Sequence, residues 1–401
     1  MSEFREFENP WSADTSEWFN EEKDKWFAGG EFNEWLDYDT FGDNSETETN
    51  GRVLIEFEMK KEDYRRGIFG FDYMRSNYLK IVKKEFLNIL KSQYRILKIN
   101  NKEYFVPWIS LKEGQTIVFN INTKLTKEFK NESIVIDNNM NFSFSPSIIN
   151  GQTKKLAITC LNAFNETQEI NFNIKDKVAG ALNFYRNNSI KIVNVRWVFV
   201  KLRSSEQLKR NITFDSLSFD FQKAFKSALI DINFVNDSVD ILDLTNLDLT
   251  NPEIFSNYQK LKETFLNENF IDLIYDKRDD FINSIKFFDK TDHSFNEVIN
   301  IFFTNCKQIL NQGEVTGDVN GFARPENNYV FMMTGNSNYI GGSEVVHEVM
   351  HCLNLHHSFN DKKSMVVFNK GATDNYMDYT NARFSTWKWQ WDILRASKYA
   401  K

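Results

Sequence analysis

Four of the chain's five histidines fall between His347 and His357, inside the stretch Gly-Gly-Ser-Glu-Val-Val-His-Glu-Val-Met-His-Cys-Leu-Asn-Leu-His-His at 341–357. Such a concentration of one titratable residue in a histidine-poor chain constrains the fold more than any other feature. His347 and His351 are four apart, and on a helix that spacing puts both rings on one face, about one turn from each other. Rings so placed reach a single zinc ion at roughly 2.0 to 2.1 Å per bond. Glu348, between them, then points beside the metal, in position to act as general base toward an attacking water.

A catalytic zinc needs a third protein ligand and an open position. His357 lies six residues beyond His351, after a segment that must leave the helix and turn back. Asn354 sits where that turn falls, and Asn is the residue most tolerant of positive φ after Gly. His356 is the competing ligand, otherwise a solvated group or one supporting the ligands. Cys352 follows a ligand directly, but adjacent helix positions point about 100° apart, so it packs rather than ligates. Ser343 is the expected N-cap of the helix.

Residue by residue, His347-Glu348-x-x-His351-x-x-Asn354-x-x-His357 resembles the metzincin zinc peptidases, whose pattern H-E-x-x-H-x-x-G-x-x-H is followed by a Met-turn. Asn354 stands where the family has Gly. Twenty residues after His357 comes Asn-Tyr-Met-Asp-Tyr, and Met377 resembles the Met-turn methionine, a hydrophobic floor under the ligands. Ser358 resembles the matrixin style, whereas Tyr379, two residues past Met377, resembles the astacin and serralysin style, so the subfamily stays open. The resemblance implies zinc held by His347, His351 and His357, Glu348 as general base, and the Tyr379 phenol close to the metal. The alternative for Tyr379 is a core tyrosine packed beside the turn. The implied activity is zinc-dependent endopeptidase. Its rival is a secreted or delivered effector or interaction protein whose zinc-binding domain no longer cleaves.

At 401 residues the chain exceeds the usual size of one core, so two domains are expected. The net charge of −7, with no dense Lys/Arg run interleaved with aromatics, argues against nucleic acid as a partner. No apolar stretch approaches the roughly 18 to 20 residues of a membrane-spanning helix. The first residues lack an apolar signal-peptide core, so synthesis in the cytoplasm is expected, with any export by a signal-independent route. The expected partners are a protein or peptide substrate, together with export machinery or an inhibitor or immunity protein. Three cysteines in so long a chain make no disulfide framework.

Residues 1–50 read as an acidic, aromatic leader and linker, in which Asp43 is a candidate latency switch over the zinc. Residues 51–203 read as a β-rich module, possibly an immunoglobulin-like sandwich. Val53, Ile55 and Phe57 alternate with Leu54, Glu56 and Glu58, and further short β-favouring runs, including Ile190 to Leu202, are broken by Asn, Gly or Asp. Tyr78 to Leu90 is the one helical pattern there. Residues 204–401 read as an α+β, metzincin-like peptidase domain. Its helices are expected over Phe214 to Leu229, Pro252 to Phe288 and Phe384 to Tyr399, and its strands over Ile230 to Leu244, Val298 to Thr304 and Asn328 to Met333. The last strand is expected at the cleft edge, where an extended peptide adds as a further strand.

Overall fold

The computed structural model describes residues 53–59, 69–99, 102–125, 129–175, 177–207, 214–236, 238–267, 269–289, 297–309, 321–335, 341–360, 362–380 and 383–401. The leader, with Asp43, lies outside them. The architecture is mixed α/β, with most strands of the first half forming two sheets around one core and Ile96–Ile99 and Lys102–Phe105 pairing separately as a hairpin. One sheet has the order Val53–Glu58, Thr116–Leu125, Lys155–Cys160, Phe142–Ser145, all antiparallel. The other runs Gly70–Asp72, Trp108–Ser110, Lys177–Phe184, Gln168–Ile174, Ile134–Ile136, Ile148–Ile149, with one parallel pair between Trp108–Ser110 and Lys177–Phe184.

Period two explains the pairing of these sheets. Ile117, Phe119 and Ile121 turn inward from one strand while Val118 between them is exposed. Their counterparts Phe172, Leu182 and Phe184 face them from the second sheet within one buried cluster. Phe57 and Phe172 meet across the gap, ring centroids 4.9 Å apart in a T-shaped contact. The helical pattern from Tyr78 is broken into the short helices Tyr78–Ile81 and Leu87–Ser92, with a 3-10 turn at Lys84–Phe86.

The run Ile190 to Leu202, grouped by its pattern with these strands, pairs elsewhere. As Lys191–Lys201 it is an inner strand of a third sheet, ordered Ile230–Phe234, Lys191–Lys201, Val298–Thr304, Tyr329–Met333, Gly321–Ala323, with Asp240–Asp243 pairing its second half. All these pairs are parallel except the last, where Gly321–Ala323 runs antiparallel to Tyr329–Met333. Tyr329–Met333 is therefore not the edge strand that its sequence position suggested. It is paired on both sides, and the three-residue strand Gly321–Ala323 forms the edge.

Every residue of Val298–Thr304 and of Tyr329–Met333 is buried, as expected of parallel strands covered on both faces. Val195, Trp197, Ile301 and Met332 turn to one face, where they meet Phe221 and Phe225 of the helix Phe214–Lys226 and Val345, Val349 and Met350 of the motif helix Gly342–Cys352. Val198, Val200, Phe302 and Phe331 turn to the other face, against Leu261, Phe281 and Ile285 of the helices Pro252–Lys262 and Arg278–Phe288. Among the described residues no helix is long and apolar enough to cross a membrane. All three cysteines are free and buried.

The motif helix approaches Phe214–Lys226 so closely that a Cβ on Gly342 would lie 1.9 Å from Asp220 Oδ2 and 2.6 Å from Asp220 Cβ. Gly is required there because any side chain would push the two helices apart. Gly342→Ala is expected to destabilise the protein by about 1 to 3 kcal/mol, as overpacking does. Denaturant unfolding would measure it, and an unchanged midpoint would show that the helices yield freely.

Candidate metal centre

The motif helix begins at Gly342 with Gly341 as N-cap, one turn ahead of the first histidine. Ser343, expected as the cap, is already inside the helix. The Glu344 carboxylate takes over the capping, accepting the Gly341 N–H at 3.0 Å. At the other end Asn354 has φ 72°, the positive value its position demanded. Around it the Asn354 N–H donates to the His351 carbonyl (2.9 Å) and the Leu355 N–H to the Met350 carbonyl (3.0 Å). These are the two bonds of a Schellman motif, which ends the helix and turns the chain back.

That reversal brings His357 to the two helical histidines. Its Nε2 lies 3.1 Å from His347 Nε2 and 3.1 Å from His351 Nε2, and one ligand atom from each of the three residues falls within a 4.8 Å span. Two nitrogens bound tetrahedrally to one zinc at about 2.05 Å would be about 3.3 Å apart, so these separations suit ligands of one ion. The far sides of two rings are fixed. His347 Nδ1 faces the Tyr376 carbonyl at 2.6 Å and His351 Nδ1 the Leu355 carbonyl at 2.7 Å. A carbonyl only accepts, so Nδ1 carries the proton in both rings and Nε2 turns its lone pair inward.

The electrostatics agree with this tautomer. Burial, reinforced by the neighbouring rings, holds His347 well below its usual pKa, and burial pushes His351 down to about 4 and His357 to about 3. All three rings are neutral at physiological pH. His347 and His351 turn their lone pairs toward His357 Nε2, so the donor set is compatible with a metal ion.

His356 is not part of the cluster; it is half-buried on the far side of the chain reversal, near Met365 and Ile393. Cys352 is buried with its thiol toward the Tyr329 carbonyl at 3.4 Å and is likewise outside the cluster. Glu348 leans the other way, toward the edge strand. It accepts the Ala323 N–H, and a Cβ on Gly321 would lie 3.1 Å from its Cγ. Burial raises its carboxyl to about 8 against the lowering pull of Arg383 and the Ala323 N–H.

Met377 is fully buried beneath the helix, packed in the cluster that holds Val346 and Met350. Its carbonyl accepts the Ser358 N–H at 2.9 Å, one residue past the third histidine. Asp378 braces the turn from inside, its carboxylate accepting the N–H groups of Gly371, Thr373 and Tyr379 and the Thr373 hydroxyl. Tyr379 is not a core residue. It is 50% exposed, with its ring centroid 4.8 Å from that of His357 and 5.7 Å from that of His347.

The sequence did not point to the Tyr376 carbonyl, Asp378, or the buried pair Arg75 and Asp374, whose guanidinium and carboxylate meet at 2.6 Å. A backbone carbonyl leaves no trace in residue type, and Arg75 is far from Asp374 in sequence. The aspartates flanking Asn-Tyr-Met were the one signal available. No protein-family model matches the chain, and no curated protein matches it.

Since Asn354 adopts positive φ, Asn354→Gly is expected to be near neutral. Asn354→Ala should cost of order 1 kcal/mol and displace His357. Metal titration of both variants tests this, and equal metal retention would separate the turn from ligation.

Proposed function

We propose that the chain is a zinc-dependent endopeptidase of the metzincin type. The observation that carries this reading is the convergence of the His347, His351 and His357 Nε2 atoms, with the carboxylate Glu348 on the helix of the first two and outside their cluster. Neutral imidazoles suit zinc, and three of them leave a coordination position open, as in catalytic rather than structural zinc sites. The parallel sheet with an antiparallel edge strand, the reversal at Asn354 and the buried Met377 under the ligands support the metzincin assignment.

A zinc ion at these three nitrogens supplies a Lewis acid that polarises the scissile carbonyl and makes water nucleophilic at neutral pH. Glu348, once ionised by the charge of a neighbouring cation, takes the proton from the attacking water and delivers it to the leaving amine. The edge strand Gly321–Ala323, whose Ala323 N–H holds Glu348, borders the place where an extended peptide substrate would lie. Tyr379, exposed next to His357, donates its phenolic O–H to the oxyanion as charge develops.

Glu348→Gln should keep the metal and the fold and lose casein or peptide-library hydrolysis by about two to four orders of magnitude. Chelation should abolish the wild-type activity, and zinc should restore it. A metal-loaded wild type that cleaves nothing would favour the non-cleaving interaction protein. Tyr379→Phe should lower kcat about a hundredfold or more with KM little changed, since an oxyanion donor acts only in the transition state. Native turnover in that variant would leave the ring as mere packing.

A further inference from the structure

We infer that the β-rich segment is a working part of the metal centre, because its Arg75 is a positioning residue that fixes the turn Asp374–Met377 and, through it, His347 and His357. This inference rests on the proposed metal-binding role of those histidines. Arg75 follows the strand Gly70–Asp72 of the β-rich segment, yet its guanidinium is spent on the far half of the chain. Its Nη1 lies 2.6 Å from Asp374 Oδ1, with both side chains almost fully buried at 4% and 0% exposure. The guanidinium also lies over the rings of Tyr73 and Tyr78, 5.3 and 5.2 Å from their centroids.

Asp374 opens the turn that carries the methionine. Its Oδ1 also accepts the Ser385 hydroxyl at 2.8 Å, whereas its buried Oδ2 has no hydrogen-bond partner. A carboxylate so enclosed depends on the guanidinium that meets its other oxygen. Asp374's own carbonyl accepts the N–H groups of Phe384 and Ser385, and the Ser385 carbonyl accepts the Tyr376 N–H at 3.0 Å. Two residues on, the Tyr376 carbonyl fixes His347 Nδ1 and the Met377 carbonyl fixes the backbone beside His357. The His347 ring therefore takes its orientation, and the backbone beside His357 its anchor, from a turn whose first residue is anchored by Arg75.

A second line of contacts runs beside the first. Asp72 Oδ2 accepts the Lys388 N–H at 2.9 Å, and the Trp387 indole N–H donates to the Tyr78 hydroxyl at 3.0 Å. Met74, Tyr78 and Phe105 share one buried cluster with Phe368 and Trp387. Among the described residues Arg75 is a buried guanidinium of this segment, and it sits at the base of the turn that holds His347. Removing a partner that orients a metal ligand indirectly typically loosens the metal about 10- to 100-fold.

The test uses the full chain, with zinc affinity measured by competition against a chelator of known strength and the site read through the visible spectrum of the cobalt-loaded protein. Arg75→Met should bind zinc about tenfold or more weakly and change the cobalt spectrum, and Arg75→Lys should recover part of both. Arg196→Met breaks another buried ion pair, with Asp289, distant from the turn. It should lower the melting temperature and leave affinity and spectrum as in the wild type. Arg75 variants with wild-type affinity and spectrum, or an equal loss in Arg196→Met, would overturn the inference. If Arg75→Met does not fold, Arg75→Lys and Ser385→Ala decide it by the same two readouts. A wild type that binds no zinc would refute the metal-site reading itself, a result distinguishable from any difference among variants.

Discussion

The nitrogens of three imidazoles converge, those of His347 and His351 each within hydrogen-bonding distance of that of His357, and the rest of this fold is arranged to hold that convergence. The helix supplies two rings at fixed spacing, and the Schellman turn at Asn354 supplies the third. The carbonyls of Tyr376 and Leu355 then fix two of the rings with Nε2 unprotonated. Burial does the same by making protonation costly. Together these devices hold a donor set compatible with one shared metal ion.

Holding four groups in register takes rigid supports on every side. Gly342 lets the motif helix lie against Phe214–Lys226 at a distance no side chain would permit. Behind it, the strands Val298–Thr304 and Tyr329–Met333 are buried along their whole length, so the helix rests on a sheet covered by helices on its other face too. Below it, the Met377 turn is tied inward by Asp378 and outward by Asp374. On the remaining side lie Glu348, held by the edge strand Gly321–Ala323, and the half-exposed Tyr379.

What the sequence revealed follows from how local each feature is. The ligands, Glu348, the positive φ of Asn354 and the strand Val298–Thr304 all lie in spacings of a few residues, where helical and strand periodicities act directly. Gly321–Ala323 was hidden because three residues led by Gly carry no strand pattern, and its pairing comes from the neighbouring strand alone. Lys191–Lys201 looked like one more strand of the β-rich segment because period and composition do not say which sheet a strand joins. Capping passed from Ser343 to Gly341 because Glu344, three residues on, could supply the carboxylate. Arg75 and Asp374 lie near opposite ends of the described chain, where no local rule connects them.

The titrating groups show what this arrangement demands of the metal-free fold. For His351 the folded value near 4 lies below the ordinary 6.5, so the unfolded chain binds more protons in that interval and stability is lost as pH falls through it. For Glu348 the folded value near 8 lies above the ordinary 4.5, so the folded state binds more protons and stability is lost as pH rises through that interval. The two windows overlap and together span the range from about 4 to 8, so no pH in it frees the site of both burdens. A cation among the rings would relieve them together, since its charge would favour the neutral form of the imidazoles and the ionised form of Glu348.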